Sequence, residues 1–98
     1  MPDRNQILAL VIETTTALAE DFEIDDLAQV DENSRLYGKG APLDSMALVN
    51  LLADIEDAVA DTFDASISLA DERAMSARNS PFRDVRSLVD AINERLEP

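Results

Sequence analysis

Ser45 sits between an aspartate and a methionine in "PLDSMALVNLLADIEDAV", at the head of the chain's best apolar helical pattern. A serine hydroxyl is a weak nucleophile without a neighbouring base. The chain has no histidine and no cysteine. Ser45 therefore cannot belong to a Ser-His-Asp triad within it, and thiol and disulfide chemistry are excluded. The G-x-S-x-G elbow is missing too, since the local sequence is "LDSMA". A surface serine usually means little, but at this position Ser45 is better read as a site that another enzyme modifies. The start of a helix suits that role, because its free N–H groups and partial positive charge tolerate an attached phosphate.

Other clusters carry less. Asp21, Glu23, Asp25 and Glu32 fall at positions 1, 3, 5 and 12 of a calcium-binding loop. Position 6 is Asp26, where the sharp turn of such a loop needs glycine, and position 8 is Ala28, so the stretch reads as a solvated acidic loop. "GKG" at 38–40 lacks the spacing of a phosphate-binding loop and reads as a turn. Arg73, Arg78, Arg83 and Arg86 could form a basic patch, but among so many carboxylates they are expected to pair internally. Surface pairs of that kind add about 0–1 kcal/mol each.

The elements that must position Ser45 follow from periodicity. Asp3 with Gln6 resembles a capping box, and apolar residues from Ile7 to Leu18 then recur at helical spacing. They predict a helix from Arg4 to Glu20, weakened by the β-branched Thr14, Thr15 and Thr16. Residues 21–44 form a long connection with Gly38, Gly40 and Pro42 as breakers. Phe22, Ile24, Leu27, Val30, Leu36 and Tyr37 can pin it to the core, with a helical turn near Asp25 to Gln29. The second helix starts at Asp44 or Ser45. Leu48, Leu51, Leu52, Ile55, Val59 and Phe63 share one face, and Asn50, Asp54, Asp57 and Asp61 lie nearly opposite. Met46 projects away from the apolar face. A short third helix fits within "SLADERAMSA". The last helix runs through Val85, Leu88, Val89, Ile92 and Leu96, capped by Asp84. No stretch alternates as a half-buried strand would. The expected fold is all-α: a single domain over 1–98, built as a four-helix bundle with a long first loop and a short third helix.

Composition narrows the partners. The chain has 98 residues, 46% hydrophobic and 30% charged, enough for one small core. Its net charge is −13, and residues 1–64 hold 15 acids against 3 bases. Such a charge argues against nucleic acid and anionic membranes and favours cationic partners. No apolar run approaches the roughly 18 residues of a membrane span. The N-terminal stretch lacks a basic start and a cleavage pattern, so the cytoplasm is the expected compartment.

"LDSMALVNLLADIEDAV" resembles the Asp-Ser-Leu motif and recognition helix of acyl carrier proteins. The similarity of arrangement covers nearly the whole chain: helix, long loop, Asp-Ser at a helix start, acidic helix, short helix, final apolar helix. The resemblance implies a carrier, not an enzyme, with 4′-phosphopantetheine on Ser45 and acyl groups held as thioesters on the thiol of that arm. The absence of cysteine agrees with this, since the arm supplies the thiol. Asp44 would help a phosphopantetheinyl transferase and its metal engage the site, while the carrier itself binds no metal. Met46 would match the exposed leucine that partners grip. Asp54, Glu56, Asp57 and Asp61 would meet basic patches on acyl-activating and acyl-transferring enzymes. Leu48, Leu52, Ile55, Val59, Leu88 and Ile92 would line an interior that admits part of an acyl chain. Met46 in place of leucine, "APLDS" in place of a glycine approach, and a long stretch between helices two and four suggest a specialised, stand-alone, monomeric member. Fatty acid, lipid or polyketide-type biosynthesis are its expected settings. A peptidyl or D-alanyl carrier, or an unmodified acidic helical interaction module, are the alternatives.

Overall fold

The computed structural model describes residues 3–38, 40–69 and 82–96. Among them are three α-helices and one 3-10 turn, with no strand. The helices are α1 (Arg4–Asp21), α2 (Ser45–Phe63) and α3 (Val85–Leu96). The all-α expectation holds, but the described residues contain three helices where four were expected. The short helix expected within 68–77 lies mostly outside the described residues. Its first two positions, Ser68 and Leu69, have no helical structure.

Each helix begins where its capping chemistry says it should. Asp3 accepts the Gln6 N–H at 2.8 Å, and the Gln6 side chain accepts the Asp3 N–H at 2.9 Å, completing the capping box. Asp84 caps α3 in the same sense, accepting the Ser87 N–H at 2.7 Å. The threonine run does not interrupt α1. Thr14 and Thr16 return their hydroxyls to the Leu10 and Ile12 carbonyls, so their side-chain donors are satisfied inside the helix.

The end of α1 is a Schellman turn. The Ile24 N–H reaches the Ala19 carbonyl at 2.8 Å and the Glu23 N–H the Glu20 carbonyl at 3.3 Å. Glu23 takes the left-handed conformation this turn demands, φ 55°. The turn sends the chain back along α1, so Ile24 and Leu27 pack against the core while Phe22 remains 48% exposed. The expectation that Phe22 pins the connection is therefore not met, because the capping geometry holds it at the surface. A 3-10 turn at Asp25–Leu27 follows, where a helical turn was expected.

From there the connection is tied at both ends. The Leu36 N–H donates to the Arg83 carbonyl, and Val85 and Arg86 donate to the Ser34 and Glu32 carbonyls. Glu32 also bridges two arginines, Arg4 at 3.2 Å and Arg86 at 3.0 Å, and Arg4 reaches Asp90 at 3.1 Å. This network joins the first turn of α1, the connection and α3. It also places Glu32 in an internal ion pair, not in a cation-binding loop.

The core is aliphatic. Ile7, Val11, Leu48, Leu52, Leu88 and Ile92 are fully buried, with Phe82 as its one fully buried aromatic ring among the described residues. α1 is the central helix and packs against both α2 and α3. Among the described residues no helix is long and apolar enough to cross a membrane.

Candidate functional site

The approach to Ser45 is built by the end of the long connection. Gly38 and Gly40 adopt φ of 127° and 77°, conformations that L side chains resist. They fold the chain so that the Ala41 N–H meets the Gly38 carbonyl at 3.0 Å. Leu43 then pairs with Tyr37 in an isolated parallel bridge, donates its N–H to the Leu36 carbonyl, and buries its side chain. The "GKG" stretch is thus the turn that was expected, with Lys39 itself outside the described residues. Leu43 is an anchor two residues before the serine and fixes where α2 begins.

Asp44 is the N-cap of α2. Its Oδ1 accepts the Ala47 N–H at 2.8 Å, and its carbonyl accepts the Leu48 N–H at 2.9 Å. Ser45 is the first helical residue, exposed. Among the described residues no hydrogen bond occupies its hydroxyl. The first N–H groups of any helix lack helical acceptors and favour an anionic group nearby. The start of α2 therefore tolerates an attached phosphodiester.

Beside the serine lies apolar surface. Met46 is 81% exposed and Val49 44% exposed. Ser45, Met46 and Val49 line an open, mostly apolar depression of about 260 Å³. Val49 escaped the sequence reading. Its signal was present, since it lies three residues from Met46 and so on the same helix face.

The expected acidic residues divide into three groups. Asp57 stands on the exposed outer face of α2 together with Asn50. Asp54 and Asp61 also are exposed, but turn towards α1 and line a groove with Glu13 and Asp21. Glu56 is half-buried, and its Oε2 accepts the Leu69 N–H at 2.7 Å. That carboxylate holds the segment after α2 against the helix. Of the basic cluster, Arg86 pairs with Glu32 and Arg83 with Asp84, while Arg73 and Arg78 lie outside the described residues. No group of acidic residues among those described is arranged to hold a metal ion.

No protein-family model, curated protein sequence or solved structure matches the chain.

Proposed function

We propose that this protein is a carrier of the acyl-carrier type, loaded through a 4′-phosphopantetheine arm on Ser45. The observation that carries the reading is the exposed Ser45 hydroxyl, without a hydrogen bond among the described residues, at the head of a capped helix beside the exposed side chains of Met46 and Val49. An unmodified surface serine needs no such surroundings. A large apolar side chain left 81% exposed one residue away is surface that a partner can cover.

In loading, Ser45 Oγ forms a bond to the phosphorus of coenzyme A that bears the pantetheine. The diphosphate P–O bond breaks, and the adenosine bisphosphate half leaves. The hydroxyl proton passes to a base of the transferase, because this chain offers no histidine to take it. Asp44 stands one residue before the serine with Oδ1 committed to the cap, and its carboxylate would help hold the transferase's metal. The arm supplies the thiol on which acyl groups are carried as thioesters. This chain's own residues hold the serine in place, keep the hydroxyl accessible, and offer Met46, Val49 and Asp57 to an approaching enzyme. Fatty acid, lipid and polyketide-type assembly are the reaction settings that use such a carrier. The activating enzyme that loads the holo form separates an acyl carrier from an aminoacyl one.

The test is direct. Incubation with a broad-specificity phosphopantetheinyl transferase and coenzyme A should add one phosphopantetheine by intact mass, mapped to the peptide containing Ser45. Ser45→Ala should abolish the addition and leave the circular dichroism spectrum unchanged, since the side chain is exposed. No addition with several transferases, or addition elsewhere, overturns the reading.

A further inference from the structure

α1 and α2 lie side by side with an open seam between them. About 420 Å³ of groove is lined by residues of both helices, with Ala17 and Ala58 among them. A second depression continues it towards the start of α1 and the end of α2, sharing Leu10, Glu13 and Thr62 and reaching Gln6 and Phe63. From Gln6 to Asp21 the seam runs along about 22 Å of α1, at roughly 1.5 Å per residue. Small side chains at Ala17 and Ala58 leave room for another backbone to approach.

The walls are acidic. Glu13 and Asp21 of α1 face Asp54 and Asp61 of α2 across the groove. Among the described residues none of these four carboxylates pairs with a base. The arginines near the helices are committed elsewhere: Arg4 and Arg86 to Glu32, and Arg95 to the Ser68 and Ala91 carbonyls. Among the described residues the repulsion along the seam is thus left without a counterion.

We propose that the α1–α2 seam is a docking groove for a basic amphipathic helix of a partner protein, separate from the surface around Ser45. The occupant follows from the two properties together. A helix with Leu or Ala on one stripe and Lys or Arg flanking it buries the apolar floor and neutralises both walls. A small polycation would use the walls and leave the floor bare. A second copy of this chain, at net charge −13, would add to the repulsion. The groove needs no arm on Ser45, so it stands or falls independently of the carrier reading.

The probe is a synthetic peptide of about 15 residues, long enough to span the seam, with lysines flanking a leucine stripe at helical spacing. A scrambled peptide of the same composition is the control. Both are titrated into isotope-labelled Ser45→Ala protein, which cannot bear an arm, and amide shifts are followed. The expected shifts run along α1 from Leu10 to Asp21 and along α2 from Asp54 to Thr62. Combining Glu13→Lys with Asp21→Lys should weaken binding about tenfold or more, and Asp57→Lys less than about threefold. Ala17→Leu fills the floor at an exposed helical position, keeps the charge, and should weaken binding as well. Equal binding of the scrambled peptide overturns the proposal. So do shifts centred on Met46 and Val49, indifference to the seam substitutions, or no shifts at all. Spermine matching the peptide in shift pattern and affinity would reduce the seam to a cation site and also overturn it.

Discussion

The Asp44 carboxylate accepts the Ala47 N–H at 2.8 Å, so removing it loosens the first turn of α2 whatever else it does. A capping aspartate replaced by alanine costs about 1 kcal/mol, whereas asparagine caps nearly as well. The two substitutions therefore separate structure from function. Asp44→Ala should lower stability by about 1 kcal/mol and slow modification of Ser45. Asp44→Asn should keep stability within a few tenths of a kcal/mol and still slow modification, because it removes the charge offered to the transferase's metal. Urea unfolding and transferase kcat/KM measured on the same two proteins give the answer. If Asp44→Asn is modified as fast as wild type, the aspartate is a cap and nothing more. At this scale the sequence was partly informative. The start of α2 at Asp44 or Ser45 and the exposure of Met46 are read from local order alone. The fate of Glu56 is not, because its partner, the Leu69 N–H, lies 13 residues away, beyond the end of α2.

α1 ends in a Schellman turn with Glu23 at the left-handed position, φ 55°. Side chains with a Cβ pay about 1 kcal/mol or more to sit there, and glycine does not. Glycine also gains freedom in the unfolded chain, which returns part of the benefit. Glu23→Gly should still stabilise the fold, by roughly 0.5–1 kcal/mol, seen as a melting temperature about 2–8 °C higher for a domain of this size. A lower melting temperature would show that the Glu23 side chain contributes more than its backbone strain costs. The same turn marks where helix periodicity stops informing. Periodicity located α1, α2 and α3, because each has one face that must be buried. It could not place Phe22, whose exposure depends on the hydrogen bonds of the residues after it. Nor could it divide the acidic stripe of α2. A 3.6-residue repeat gives each carboxylate a direction on its own helix but does not say which neighbour stands there. Asp54 and Asp61 meet Glu13 and Asp21 only because α1 packs along that side.

Two electrostatic effects of opposite sign act on the molecule as a whole. The excess of 21 acids over 8 bases repels itself and disfavours the compact state. The Arg4–Glu32–Arg86 network, with Asp90, favours it by tying α1, the connection and α3 together. Its groups are partly exposed and screened by solvent, so each pair contributes little. The repulsion is spread over many more charges. Added salt screens both. Spread over so many charges, the repulsion is expected to dominate, and the urea midpoint of the wild-type protein at neutral pH should then rise with salt. Glu32 isolates the opposing part. The hydrogen bond from Arg4 holds its carboxyl below the ordinary value of 4.5, against a desolvation penalty, with further lowering from the charge of Arg4 and then from Arg86. A carboxyl lowered by folding adds stability that is fully present above its unfolded value and is lost as pH falls through its folded one. Glu32→Gln should therefore be less stable than wild type at neutral pH. The gap between the two should close as the solution is acidified below about pH 4.5 and Glu32 takes up its proton. Salt should narrow the gap at neutral pH even while it stabilises both proteins, because the network is screened along with the repulsion. Urea midpoints of the two proteins across pH, at low and at high salt, decide it. A gap that persists unchanged into acid would mean that Glu32 acts through shape and not through charge. A gap that grows with salt would contradict the assignment of the network as ionic.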